Sequence, residues 1–128
     1  MTSRELSQLY WLNKEIEQEK RRLAELEAAA TNTSAKITGL PHMSGISDKT
    51  AIAAEMAESR AIIKAKTDLC VVEYNRLNRY IASIDDSLIR QIMSLRYISG
   101  MTWVQVAMHI GGDNTPDSVR MAAKRYLK

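Results

Sequence analysis

Phenylalanine is absent from this chain, and tryptophan and tyrosine bring the aromatic share to only 5% of 128 residues. Two prolines and five glycines are too few for an all-β chain, which needs turn residues every ~8 to 12 positions. The single cysteine, Cys70, excludes an internal disulfide and a cysteine-rich zinc site. No apolar run approaches the roughly 18 to 20 residues that cross a bilayer. The start, Met1-Thr2-Ser3-Arg4-Glu5, has no apolar signal region. These absences lead us to expect a soluble protein of the reducing cytoplasm, with no membrane partner.

What the chain does have is an abundance of Ala, Leu, Ile, Met, Glu, Lys and Arg, all of them residues common in helices. We read it as all-α. Its length leaves room for one domain plus an extension, not for two full cores. Net charge is +3, unevenly spread: from Arg90 to Lys128 six basic residues face only Asp113 and Asp117, and the rest is close to neutral. A basic excess on a compact module suits a phosphate-binding surface.

Four segments follow. Residues 1–30 read as a coiled-coil-like helix: Thr2 and Glu5 form a capping box, and Leu9, Leu12, Ile16, Leu23, Leu26 and Ala30 recur at steps of three and four, broken at Glu19. Glu17 and Arg21 are spaced for an ion pair. About three heptads are marginal alone, so this stripe needs a partner helix. Residues 31–47 are rich in Thr, Ser, Gly and Pro and read as a connecting loop, with Ile37, Leu40 and Met43 available to pin it. Ser47 or Asp48 can cap a long helix over 48–82, striped by Ile52, Met56, Ile63, Cys70, Tyr74, Leu77 and Ile81. At 1.5 Å per residue it would be roughly 50 Å long, and an antiparallel hairpin with the first helix, a second chain, or both would cover it.

The fourth segment, 83–128, carries the informative motif. Asp85-Asp86 offers a cap, Leu88, Ile89, Ile92, Leu95 and Arg96 mark a helix face, and Gly100 can end that helix in a left-handed cap. Thr102 and Gln105 make a second capping box. Ala107 is small where a following helix would cross, Gly111 lets the chain turn, and Trp103, Val106 and Ile110 point inward. Thr115 caps the last helix with Pro116 in its first turn, and Val119, Ala122, Ala123, Tyr126 and Leu127 form its buried side. This is the pattern of a helix-turn-helix. At 100° per residue the outer face is Asp117, Met121, Lys124 and Lys128, flanked by Ser118 and Arg125 on one edge and Arg120 on the other. With Gln105 and Thr115, these are the candidate DNA-binding residues. The basic C-terminal half would meet phosphates while the N-terminal residues reach base edges. The turn Gly112-Asp113-Asn114 is longer than in the tightest versions of the motif.

The run LRYISGMTWVQVAMHI followed by DSVRMAAKRYL resembles the region-four DNA-binding domain of sigma factors. It is more similar still to phage-encoded relatives, the RinA/ArpU-like late transcription regulators and associated small phage proteins, which also share features of LYWLNKEIEQEKRRLAELE and ITGLP…SDK. The resemblance implies double-stranded DNA binding and a part in phage or prophage gene regulation near the host nucleoid. Host RNA polymerase is a contact that such a role would bring. It does not imply a sigma factor, since regions that bind core polymerase and melt promoters have no counterpart here.

A homodimer is expected, because a single helix-turn-helix gains affinity and register by pairing on two half-sites. The alternatives are a small terminase-like packaging subunit, which also joins such a motif to oligomerising helices, and a helical adaptor with no nucleic-acid role. An enzyme is least expected: no nucleophile and base pair up, no glycine loop cradles phosphate, and no metal-ligand spacing occurs. No cofactor is expected. His42 and His109 read as surface or satisfied residues, Cys70 as core, and Trp103 as packing rather than stacking on a base.

Overall fold

The computed structural model describes residues 1–35 and 44–127, and among these every regular element is helical. Helix α1 (Ser3–Leu6) starts at the expected capping box. Glu5 N–H donates to Thr2 Oγ1 at 3.2 Å and Thr2 N–H donates to Glu5 Oε2 at 2.8 Å. That backbone N–H holds the Glu5 carboxyl below its ordinary value. Ser7 briefly interrupts the helix before α2 (Gln8–Ala35), so the first segment is two helices rather than one. Helix α3 spans Ser44–Ala82.

Both long helices extend into the stretch expected to be loop. Residues 31–35 continue α2, and the Thr31 hydroxyl donates to the Glu27 carbonyl at 3.0 Å. Threonine and serine cost a helix only about 0.5 kcal/mol each relative to alanine, too little to stop one. The proposed caps Ser47 and Asp48 lie inside α3. Ile37, Leu40, His42 and Met43 fall outside the described residues.

The chain divides into two compact units. One comprises Lys14–Asp68, where α2 and α3 run antiparallel, as the pairs Glu15–Lys66 (3.4 Å) and Glu19–Ser59 establish. Ile16 is buried here, and so is Ser59, which the sequence pattern had passed over between Met56 and Ile63. The Ser59 hydroxyl donates to Glu19 Oε2 at 3.1 Å and approaches the Glu19 carbonyl at 3.4 Å. The gap in the first heptad stripe thus faces the polar position of the second. Glu17 pairs back to Lys14 at 3.5 Å, where its spacing had pointed forward to Arg21.

The other unit comprises Met1–Asn13 and Leu69–Lys128. Leu6 and Leu9 from the N-terminal segment join Leu77 and Ile81 of α3 and Ile84 in one apolar core. Tyr74, placed in the α3 stripe by spacing, is 48% exposed. The same core receives Ile89, Ile92 and Met93 from α4 (Ser87–Met93), Val106 and Ala107 from α5 (Trp103–Ile110), and Val119 and Ala123 from α6 (Pro116–Tyr126). Helices α4, α5 and α6 pack on one another. Asp86 caps α4, its carboxylate accepting from Leu88 and Ile89 N–H at 2.9 and 3.2 Å.

Helix α4 widens into a π turn over Ser94–Ile98, where Ser99 N–H reaches back five residues to the Ser94 carbonyl at 3.0 Å. Gly100 follows with φ +72°, the left-handed cap expected there. Met101 N–H then donates to the Leu95 carbonyl at 3.1 Å, one residue farther back than a Schellman closure, because the π turn has added one residue.

Candidate functional site

Helix α5 begins with the second capping box: Gln105 N–H donates to Thr102 Oγ1 at 3.2 Å, and Gln105 Oε1 accepts from Thr102 N–H at 2.9 Å. The Gln105 oxygen is therefore used in holding the helix start. Ala107 is buried and Gly111 ends the helix at φ +75°, ψ −162°, a backbone region essentially restricted to glycine. A Cβ at Gly111 would meet nothing within 4 Å, so conformation, not close packing, demands glycine there. Asn114 Nδ2 donates to the Gly111 carbonyl at 3.0 Å and closes the turn.

Helix α6 starts at Thr115, whose Oγ1 accepts from Ser118 N–H at 3.1 Å. Ser118 Oγ in turn accepts from Thr115 N–H at 2.9 Å and donates to the Thr115 carbonyl at 3.0 Å. This hydroxyl, proposed as an outward reader, is committed to the cap. Nothing in the spacing of Ser118 shows that commitment, since glutamate or glutamine is the usual partner three residues after a capping threonine.

Val119 and Ala123 bury the inner face of α6, with Ala122 and Leu127 half-buried. Tyr126 is 42% exposed although it stands seven residues from Val119. It is the last residue of the helix, beyond the contact formed by Val119 and Ala123. Asp117, Arg120, Met121, Lys124 and Arg125 are exposed as expected, and Lys128 lies outside the described residues. Asp117 and Arg120 pair at 3.6 Å, while the Arg125 Nε donates to its own helix at the Met121 carbonyl, 3.3 Å away.

The local basic excess divides by use. Arg90 donates to the carbonyls of Ile84 and Asp85, so it braces the entry to α4. Arg96 Nη1 donates to the Met101 carbonyl at 2.9 Å, and its guanidinium lies 4.7 Å from the centre of the Trp103 ring. Trp103 therefore packs, as expected, but on a cation rather than only on apolar neighbours. Burial beside it pushes the Tyr97 phenol up, an effect that Arg96 partly offsets.

A cleft of about 580 Å³ opens between the N-terminal residues Thr2, Ser3 and Ser7 and the basic edge of α6, Arg120 and Lys124; Arg96, Tyr97, Trp103, Ala123 and Leu127 also line it. A second cleft, about 310 Å³, shares Ser7, Arg96 and Tyr97 and adds Tyr10 and Trp11, whose rings meet edge-on at 5.1 Å. Thr2, Ser3 and Ser7 are too distant in sequence from α6 for spacing to connect them to it. On α5, Val104 and Met108 stand four residues apart and exposed.

Comparison of the chain with protein-family models, with curated protein sequences and with solved structures finds no match. Among the described residues, no helix is long and apolar enough to cross a membrane.

Proposed function

We propose that this protein binds double-stranded DNA as a helix-turn-helix regulator of phage or prophage transcription, with residues 115–128 as the reading segment. The observation that carries this reading is the exposure of Met121, Lys124 and Arg125 on an α6 anchored through Val119 and Ala123, directly after a glycine-built turn. A helix held by its inner face and basic on its outer face can enter the major groove while its cations meet phosphates. The likeness of this segment to sigma region-four relatives supports the same reading. Pairing of two copies on half-sites would add affinity and register.

The test is an anisotropy titration of the full chain with labelled duplexes across a salt series. Lys124→Ala and Arg125→Ala should each weaken binding to every duplex and lower the salt slope by about 1. Met121→Ala should instead change which sequences are preferred. No duplex binding at low salt would overturn the proposal.

A further inference from the structure

The larger cleft has the composition of an anion site. Among the described residues that line it, Arg96, Arg120 and Lys124 are basic and none is acidic. Arg96 is positioned in advance by the Met101 carbonyl and the Trp103 ring. A cation already held in place loses little conformational freedom when its anion arrives. Arg120 pairs with Asp117 at 3.6 Å, an exposed contact that competes weakly with a phosphate. Across the cleft, Ser3 adds a hydroxyl, a group that commonly contacts phosphate oxygens, while the Ser7 hydroxyl donates to the Ser3 carbonyl at 2.8 Å. The volume, about 580 Å³, is large enough for a sugar–phosphate unit against the Tyr97 and Trp103 wall.

We infer that this cleft takes a backbone phosphodiester of the duplex whose groove receives α6. The N-terminal residues thereby become part of the DNA-holding surface. This rests on the DNA-binding reading, but phosphate is the chemistry recognised, and a free phosphate would satisfy the same groups.

Ser3 provides the test because it is exposed and opens α1, where a carboxylate is compatible with the helix dipole. In the duplex titration, Ser3→Glu should weaken binding about tenfold and lower the salt slope by about 1, whereas Ser3→Arg should tighten it several-fold. Ser3→Gln, neutral and close in size to glutamate, should fall between those two variants in affinity and keep the parent's salt slope, and circular dichroism should report all three folded. Equal duplex affinity for Ser3→Glu and Ser3→Arg overturns the cleft while leaving the role of α6 standing.

If the parent binds no duplex, the DNA reading fails and inorganic phosphate decides the cleft. Saturable NMR shifts at the Arg96 Nε and Trp103 indole N–H, lost in Ser3→Glu, would keep a phosphate site with another source. Their absence from the parent would overturn it.

Discussion

Glu19 and Ser59 occupy the polar positions of two facing heptad stripes and hydrogen-bond to each other, Oγ to Oε2 at 3.1 Å. A partly buried polar contact of this kind, with Glu19 also paired to Arg22 at 3.7 Å, adds little to stability compared with apolar packing, but it penalises any sliding of one helix along the other. Ser59→Ala should therefore destabilise the chain by about 1–2 kcal/mol, since it leaves the Glu19 carboxylate partly covered without this donor. Glu19→Leu combined with Ser59→Ala should recover that loss and exceed the parent. Urea midpoints of the parent, the two single variants and the pair check this; an unchanged midpoint for Ser59→Ala would show that the contact has no energetic role.

The two helix-ending glycines should respond differently. Gly100→Ala meets only the Tyr10 ring at 3.9 Å, so its cost is that of a left-handed residue, about 1–2 kcal/mol. Gly111 has ψ −162°, outside even the left-handed well, and Gly111→Ala should cost more, up to about 3 kcal/mol. Gly100→Asn should be milder than Gly100→Ala, because asparagine visits the left-handed region more readily. The ranking is read from thermal midpoints, and equal losses at positions 100 and 111 would contradict it.

Ser118→Ala should act on stability rather than on sequence preference. Its hydroxyl accepts from Thr115 N–H and donates to the Thr115 carbonyl, so its loss weakens the start of α6 by about 1 kcal/mol. Duplex selection with this variant should return the same bases as the parent at lower stability. A changed base preference would mean that the hydroxyl leaves its cap on binding.

Burial raises the Tyr97 phenol above its ordinary value of 10.0. Above about pH 10 the unfolded chain releases this proton while the folded chain still holds it, so stability falls as pH rises toward and through the folded value. The contribution is fully present below the unfolded value. Tyr97→Phe should flatten the alkaline decline but not abolish it, since burial also raises Tyr80. Thermal midpoints between pH 9 and about pH 12 test this, and a decline as steep as the parent's would refute it.

The starts of α1, α4, α5 and α6 were legible because each is a contact between residues two or three apart. Thr2 with Glu5, Thr102 with Gln105, and Asp86 ahead of Ile89 all formed where their chemistry suggested. Gly100 and Gly111 were legible for a related reason: a positive φ favours one residue type. The ends of α2 and α3 were not, because weak helix formers are carried along by the packing of the helices that contain them. Nor was the π turn, which depends on the closure of the α4 end. Of the outer face of α6, exposure was predictable from a wheel, but the commitment of Ser118 and the approach of Thr2, Ser3 and Ser7 depend on tertiary neighbours that no local period encodes.

The reciprocal caps at Thr2, Thr102 and Thr115 also bear on how fast this unit assembles. Each closes a contact only three residues long, and α4, α5 and α6 find one another within a span of about forty residues. Little loop entropy is lost before those contacts form, whereas Leu6 and Leu9 must close a far longer loop onto the same core, so the C-terminal helices should assemble first and the N-terminal segment dock on them.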